Sequence, residues 1–350
     1  MEKEPCNILV FNVNWIGDVI FTSPVFKALR QTYPDSWIIC LAVPRVREIL
    51  ESMPDIDEVI DYDERGRHRS LWGKIQLIHH LRSRKIDLAF LLHRSWTRAC
   101  LVFLAGIPVR VGYGTKRRGA LLTHSVPSPG MGLHRSDFYL EVIRSWGVAI
   151  KDRLCGLQID QASQDNVLAR LQVMGISDSD TLAVLHVGGN WELKRWPNEN
   201  FSELIRRLHK EMGMRIVIPG SARDHFLAQG VIPPEVPGVY LMAGQTNLKQ
   251  LIALMARADL VVSADSGPLH IANCVGTKAV ALFGPTSPEI TGPRGKGEVV
   301  ILRKDLACNR HPCYNLDCLD NQCMRSITVD DVMQAVRRIM PKGKHPGTEG

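Results

Sequence analysis

The first residues that could do chemistry lie in residues 12–18, which read NVNWIGD. An apolar segment over 7–13 predicts a strand before them, and an amphipathic pattern over 24–33 predicts a helix after them. Open α/β sheets bind ligands at the carboxyl ends of their strands, so Asp18, beside Gly17, is a candidate general base that deprotonates a hydroxyl without a metal. The alternative is that Asp18 only caps the helix. The turn lacks the second and third glycines of G-x-G-x-x-G, which argues against an NAD-dependent oxidoreductase.

A second candidate site follows the apolar segment 181–187, which predicts a strand. The residues after it are Gly188, Gly189 and Asn190. Small residues at such a turn let backbone N–H groups approach an anion, and Lys194 adds a mobile positive charge. Together they predict a diphosphate cradle. The alternative is that Lys194 and Arg195 form an ordinary exposed basic pair.

The third cluster is the most specific and reads DSGPLH over 265–270. Its candidate ligand-binding residues are Asp265, Ser266, Gly267 and His270. The first of these ends a predicted strand, and Pro268 suits the first turn of the next helix. The amino end of a helix attracts phosphate. His270 taken alone is more typical of a structural histidine, but its place in this turn makes it part of the predicted site.

Around these sites, apolar strand patterns alternate with amphipathic helices along both halves of the chain. This alternation predicts two Rossmann-like α/β domains, each with a parallel sheet covered by helices, facing each other across a cleft. We expect an amino-terminal domain over 1–160, a carboxy-terminal domain over 161–326, a terminal helix over 327–340 and a disordered tail over 341–350. A Thr328-x-x-Asp331 pattern resembles a capping box at the start of that helix.

Length and composition agree with a two-domain enzyme. The chain has 350 residues, of which 45% are hydrophobic and 23% charged. No apolar run approaches the roughly 18–20 residues that span a bilayer, and the amino terminus is unlike a signal peptide, so we expect a cytoplasmic protein. The net charge of +7 favours anionic partners, phosphorylated sugars or anionic lipid head groups. No helix-turn-helix, zinc-finger or RNP-like signature points to nucleic acid.

Four cysteines near the carboxyl terminus recur at every fifth position: Cys308, Cys313, Cys318 and Cys323. The C-x2-C spacing of a zinc ribbon is absent. Free thiols, a metal site and disulfides remain open, and His311 within the run leaves the number of possible ligands ambiguous.

These motifs resemble those of the bacterial ADP-heptose:lipopolysaccharide heptosyltransferases. The resemblance rests on WIGD over 15–18, KRWP over 194–197, PGSA over 219–222, DSGPLH over 265–270 and FGPT over 283–286. They occur in the family's order and cover nearly the whole chain. The first turn looks most like that of heptosyltransferase II.

The resemblance implies a GT-B fold and transfer of heptose, with inversion, from ADP-L-glycero-beta-D-manno-heptose to a lipid A-core acceptor. By position, Asp18 is similar to the family's catalytic base and Lys194 to the residue that neutralises the donor diphosphate. Gly220 and Ser221 join the donor-binding residues already named. The implied acceptor is heptosyl-Kdo2-lipid A, and no cofactor or divalent ion is required. Because that acceptor is lipid-linked, we expect peripheral contact with the inner face of the inner membrane.

On the acceptor side, the resemblance points to Gly17 and to basic residues of the amino-terminal half. These are Arg94, Arg98, Lys116, Arg117 and Arg118, of which the last three follow a Gly-Tyr-Gly-Thr turn like the family's acceptor loop. Each alone is more typical of ordinary surface charge. Two other functions stay open: heptosylation of a protein by an autotransporter-type relative, to which the cysteines give some support, and a non-catalytic sugar-nucleotide-binding paralogue.

Overall fold

The chain separates into two units, Met1–Gln158 and Ile159–Gly350. A computed structural model describes residues 4–115, 117–130, 132–306, 308, 312–313 and 317–341. Lys116, His311 and all but the first residue of the expected disordered tail lie outside these residues. In the part of the chain that is described, no helix is long and apolar enough to cross a membrane.

The first unit is built on a six-stranded sheet in which every neighbouring pair is parallel. Its strand order, β3-β2-β1-β4-β5-β6, is that of the doubly wound fold. Its strands are β1 (Asn7–Phe11), β2 (Trp37–Ala42), β3 (Glu58–Asp61), β4 (Leu88–Leu91), β5 (Val109–Tyr113) and β6 (His124–Val126). The central strands are almost wholly buried because helices cover both faces of such a sheet.

Six helices accompany this sheet in the described residues. They are α1 (Ile16–Ile20), α2 (Ser23–Thr32), α3 (Arg47–Glu51), α4 (Leu71–Ser83), α5 (Trp96–Leu104) and α6 (Arg135–Arg144). The sequence predicted an open turn up to Asp18, whereas the structure forms the short helix α1 there. The reason is local, since the carbonyl of Trp15 accepts a 2.8 Å hydrogen bond from the amide of Val19.

The second unit repeats the same architecture. Its parallel sheet has the order β12-β11-β10-β7-β8-β9, which is again the doubly wound order. Its strands are β7 (Leu182–His186), β8 (Arg215–Gly220), β9 (Val239–Ala243), β10 (Leu260–Ala264), β11 (Lys278–Leu282) and β12 (Val299–Leu302). In both units the central strands are mostly apolar runs, which explains why the apolar pattern located them correctly.

The described helices of the second unit are α7 (Gln161–Val173), α8 (Asn198–Met212), α9 (His225–Gly230), α10 (Leu248–Arg257), α11 (Gly267–Val275), α12 (Pro288–Thr291), α13 (Gln322–Arg325) and α14 (Val329–Ile339). The last of these begins at a capping box formed by Thr328 and Asp331. Its apolar face, with Val332 and Val336 fully buried, packs into the core of this unit. The terminal helix is therefore part of the second unit's core.

Trp196 ties the start of α8 to the carboxy-terminal segment. Its ring is 1% exposed and lies edge-on to Phe201 at 5.1 Å, and its indole nitrogen donates a 2.8 Å hydrogen bond to the carbonyl of Ile327. A buried donor and acceptor that satisfy each other contribute modestly, but a partner left alone in the core is costly.

We therefore expect Trp196→Phe to lower the free energy of unfolding of the second unit by about 1–3 kcal/mol, because the Ile327 carbonyl loses its donor and packing is reduced. Urea unfolding followed by circular dichroism measures this. Trp37→Phe is the matched control, since Trp37 is 50% exposed. An equal effect of the two substitutions would contradict a structural role for the buried indole.

Candidate functional site

In the first unit, Asp18 lies in α1, directly beyond the carboxyl end of β1. Its side chain is half-buried, and Oδ1 accepts a 2.9 Å hydrogen bond from the hydroxyl of Tyr139. Burial raises the pKa of Tyr139 well above its usual value, and the charge of Asp18 adds to the rise. Tyr139 therefore stays protonated and donates to Asp18, which fixes the orientation of the carboxylate.

The capping alternative for Asp18 has no support in this geometry. The N-cap positions of α1 and α2 are Trp15 and Thr22, and neither makes a side-chain capping bond. The hydrogen bond that Asp18 does make comes from α6, 121 residues away along the chain. No local sequence pattern marks Tyr139, so sequence analysis missed it.

Arg98 was expected to bind an acceptor, but the structure places it beneath the turn that leads to Asp18. It is 1% exposed and donates to the carbonyl of Asn12 at 2.6 Å and to Oδ1 of Asn14 at 2.7 Å. Its guanidinium also lies over the rings of Phe11 and Tyr62, 4.9 and 5.5 Å from their centroids. Burial lowers its pKa. Arg98 thus holds the turn in place and offers no surface to a ligand.

Arg118 is likewise an interior residue and not a surface cation. It is fully buried, and its donors reach the backbone carbonyls of Tyr113 at 2.6 Å, of Ser95 and Leu91 at 3.4 Å, and of His93. Burial lowers its pKa to about 10. Through these hydrogen bonds Arg118 links the segments that follow β4 and β5.

The other expected acceptor residues are placed differently. Arg94 and Arg117 are exposed, Gly17 is half-buried beside Asp18, and Lys116 lies outside the described residues. The guanidinium of Arg94 sits 5.4 Å from the centroid of the Phe138 ring, next to Tyr139 in sequence. Among the residues expected to bind the acceptor, Arg94 is thus an exposed cation that lies close to the Asp18–Tyr139 pair.

In the second unit, the half-buried Lys194 forms an ion pair with the buried Asp265. The Lys194 ammonium lies 2.8 Å from Oδ2 of Asp265 and 3.1 Å from its backbone carbonyl. His270 contacts Oδ1 at 3.3 Å, and the Thr291 hydroxyl donates to Oδ2 at 3.0 Å. Burial alone would raise the pKa of Asp265, but the hydrogen bond from His270 and the charge of Lys194 outweigh it and hold that pKa well below the usual range. Asp265 is therefore ionised and fixes the Lys194 ammonium.

This pair lies at the start of α11. Ser266 is its N-cap residue but makes no side-chain capping bond, and Pro268 occupies the first turn. The first amide groups of the helix are thus not capped by Ser266. A helix amino end with a lysine beside it is suited to a diphosphate.

His186, which ends β7, joins the same edge of the sheet. Its Nδ1 lies 3.3 Å from the hydroxyls of both Ser263 and Ser266. Burial lowers the pKa of His186 to about 4, so the ring is neutral at physiological pH. It therefore orients the Ser266 side chain without adding charge to the site.

A carboxylate that sequence analysis missed, Asp224, lies among the expected glycines. A Cβ at Gly188 would come within 2.6 Å of the Asp224 carboxylate, and one at Gly220 within 3.1 Å of its Cβ. Oδ2 of Asp224 accepts from the amide and hydroxyl of Ser221 at 2.9 and 2.6 Å. The Ser-x-x-Asp capping spacing was the available signal. These two glycines are needed because the backbone passes directly against the carboxylate.

The remaining expected residues lie on the loop after β7. Gly189 has a φ of +146°, and its carbonyl accepts from Arg195 at 2.8 Å, so Arg195 fixes this loop. Asn190 is exposed beyond it. The expected donor-binding residues therefore gather where β7, β8 and β10 end.

No disulfide joins the cysteines among the described residues, so the free-thiol alternative stays open. No group of three or more His, Cys, Asp or Glu side chains within the described ranges is arranged to hold a metal ion. Burial raises the pKa of the Cys323 thiol.

Comparisons with known proteins agree with this chemistry. Residues 74–319 match the model of glycosyltransferase family 9 (heptosyltransferase). The chain is 29% identical over 297 residues to lipopolysaccharide heptosyltransferase 2 of Salmonella typhimurium, covering 82% of this chain and 85% of that one.

Solved structures give the same result for the fold. A family 9 glycosyl transferase of Veillonella parvula superposes with a TM-score of 0.85 at 24% identity, covering 97% of this chain and 98% of that one. The ADP-heptose heptosyltransferase II of Escherichia coli superposes with a TM-score of 0.79 at 25% identity, covering 95% and 98%. With two parallel six-stranded sheets, this similarity confirms the predicted GT-B fold. The family match covers well over half of the chain, which is therefore a glycosyltransferase and belongs to glycosyltransferase family 9, the heptosyltransferases.

Proposed function

We propose that this enzyme transfers heptose from ADP-L-glycero-beta-D-manno-heptose to the inner core of lipopolysaccharide, adding the second heptose to heptosyl-Kdo2-lipid A with inversion at the anomeric carbon. The observation that carries the proposal is the Asp18 carboxylate, held by Tyr139 at the carboxyl end of β1. The names of two similar proteins, a Salmonella heptosyltransferase 2 and the E. coli ADP-heptose enzyme, support the donor and the step.

In this reaction the acceptor hydroxyl attacks the anomeric carbon of the donor. Asp18 takes the hydroxyl proton as the new carbon–oxygen bond forms, and the bond from the anomeric carbon to ADP breaks on the opposite face. A carboxylate already oriented by Tyr139 suits this role because a general base must lie within hydrogen-bond reach of the proton it removes.

The departing ADP carries negative charge that must be stabilised. Lys194 is suited to this because Asp265 fixes its ammonium group at the start of α11 while a quarter of the lysine side chain stays exposed. Gly188, Gly220 and Ser266 lie along the same edge of the sheet, where backbone amides can approach the nucleotide.

We assign the phosphorylated acceptor to Arg94 and Arg117, with Gly17 beside the base and Lys116 as a further candidate outside the described residues. Arg98 and Arg118 are buried and hold the backbone of this region in place. We also propose that the enzyme works in the cytoplasm at the inner face of the inner membrane, where a lipid-linked acceptor would be presented.

The proposal is tested by mixing purified enzyme with ADP-heptose and either heptosyl-Kdo2-lipid A, Kdo2-lipid A or an autotransporter polypeptide. ADP release that depends on the first acceptor, with the anomeric configuration of the product inverted in its NMR spectrum, supports the proposal. Release with only one of the other acceptors would move the enzyme to a different step or to protein modification. ADP-heptose binding without release on any acceptor would indicate a binding paralogue.

Replacing the base should slow turnover strongly without harming the fold. We expect Asp18→Asn to lower kcat by about 100-fold or more, since general base catalysis typically contributes about 10²–10⁴-fold. Tyr139→Phe should reduce kcat less, because the carboxylate remains but loses its orienting donor. Acceptor-dependent ADP release measures both. Asp35→Asn, at an exposed position of the same unit, is the control, and a full rate in Asp18→Asn would overturn the assignment.

Replacing the lysine should weaken nucleotide binding. We expect Lys194→Met to raise the Kd for ADP by about 10- to 100-fold, because a charge-assisted hydrogen bond contributes about 1.5–3 kcal/mol. Asp265→Asn should also raise the Kd for ADP, because the Lys194 ammonium is no longer held in place. The increases in Kd from the two substitutions should not add in the double variant. Isothermal titration calorimetry gives the values. Lys210→Met, at an exposed lysine of the same unit, should bind ADP normally.

The proposed chemistry needs no divalent ion, because Lys194 and the start of α11 supply the positive charge for the leaving diphosphate. Treatment with EDTA followed by desalting should therefore leave kcat with ADP-heptose essentially unchanged. A rate that collapses with EDTA and returns with Mg²⁺ would show that a metal shares this role.

A further inference from the structure

Between β3 and the first turn of α4 the chain carries an unusual set of exposed side chains, which we call the basic-aromatic segment (residues 63–74). Its large exposed side chains are Arg65, Arg67, Arg69, Leu71 and Trp72. Leu71 is 76% exposed and Trp72 68%. The proposed donor and acceptor sites use none of them.

The segment has a fixed conformation. Asp63 accepts from the amides of Gly66 and Arg67 at 2.9 and 3.0 Å, and the buried ring of His68 stacks on Tyr62 and accepts from the amide of Asp63 at 3.0 Å. Ser70 caps α4 through a 3.0 Å bond from the amide of Gly73. A Cβ on Gly73 would collide with the carbonyl oxygen of Arg67, so the loop and the helix start are packed together. The exposure of Leu71 and Trp72 therefore belongs to a well-packed structure.

The acidic and basic side chains of the segment differ in their contacts. Both acidic side chains are engaged by neighbouring groups, since Asp63 accepts from the loop amides of Gly66 and Arg67 and Glu64 contacts Arg98 and Asn14 at 3.3 Å each. The guanidinium groups of the three arginines have no ion-pair partner anywhere in the described chain, so the outer face is positive as well as apolar.

We propose that the basic-aromatic segment docks the enzyme on an anionic phospholipid surface. Tryptophan and leucine insert at the level of the head groups, and arginines beside them are attracted to negatively charged lipids. A protein partner would also accept such a face, but three unpaired arginines around two apolar side chains match the head-group boundary, where charge and apolar surface meet in one plane.

This inference extends the proposed function and rests on it, because the proposed acceptor is linked to a lipid. Glu64, at the start of the segment, contacts Asn14 and Arg98, which hold the turn that leads to Asp18. A membrane bound at the segment thus lies beside the turn that carries the proposed base, where a lipid-linked acceptor presents its sugar.

The test measures co-sedimentation of the full chain with vesicles that contain no acceptor, so its result does not depend on transferase activity, and a separate arm adds heptosyl-Kdo2-lipid A to the vesicles. The vesicles are pure phosphatidylcholine or phosphatidylcholine with one third phosphatidylglycerol. We expect binding to the anionic vesicles only, weakened when salt rises from about 0.1 M to about 1 M because screening shortens the reach of the charges.

Two variants and two matched controls locate the site. Arg65→Gln/Arg67→Gln/Arg69→Gln should weaken binding by at least about ten-fold, since each basic residue near an anionic surface contributes about 1 kcal/mol. Leu71→Ser/Trp72→Ser should weaken it by about ten-fold or more through lost apolar insertion. Arg82→Gln/Lys85→Gln/Lys151→Gln removes the same charge elsewhere, and Trp37→Ser removes another exposed tryptophan. Both controls should bind as wild type, and all variants should show the wild-type melting temperature.

Three results would overturn the inference: no binding to anionic vesicles, equal loss in the control variants, or binding that appears only when the vesicles contain heptosyl-Kdo2-lipid A. The last would mean that the segment recognises acceptor phosphates and not the lipid surface. Loss of vesicle binding in Leu71→Ser/Trp72→Ser, with ADP release on a delipidated acceptor unchanged, would separate docking from catalysis.

Discussion

Parallel pairing of the strands is the constraint on which this protein depends. In a parallel sheet every strand ends at the same edge, so the segments that follow neighbouring strands are brought together whatever their separation in sequence. In the second unit this edge collects His186, Gly188, Gly220 and Asp265 from β7, β8 and β10. In the first unit it carries the turn with Asp18. Each site is thus a consequence of topology first and of side-chain chemistry second.

Buried charged side chains then hold in place the segments that the parallel sheets bring together. A guanidinium or carboxylate removed from water is costly unless its hydrogen bonds are satisfied. Arg98 and Arg118 meet this requirement with backbone carbonyls of the segments that leave the strands, and so convert loops into rigid supports. Asp265 meets it with Lys194, His270 and Thr291. Buried charge therefore fixes loops in one unit and the Lys194 ammonium in the other.

Neutral groups complete the arrangement by orienting without adding charge. Tyr139 stays protonated beside Asp18, and His186 stays unprotonated beside Ser266, in each case because burial shifts the pKa away from the charged form. A charged group in either place would change the electrostatics at the carboxylate or at the helix start. The wholly buried surroundings of these two side chains thus matter as much as their hydrogen bonds.

The sequence by itself determined the fold class, the family and most of the elements. Apolar runs such as 260–264 and the periodic pattern of 198–211 need only local information, and Asp18, Lys194 and Asp265 stand in short motifs. Only the tertiary structure decided that Tyr139 orients Asp18, that Asp224 lies against Gly188 and Gly220, and that Arg98 and Arg118 are interior supports. An arginine in a sequence carries no mark of burial. Its role is set by which carbonyls the folded chain brings within reach of its donors, and those carbonyls belong to segments far away along the chain.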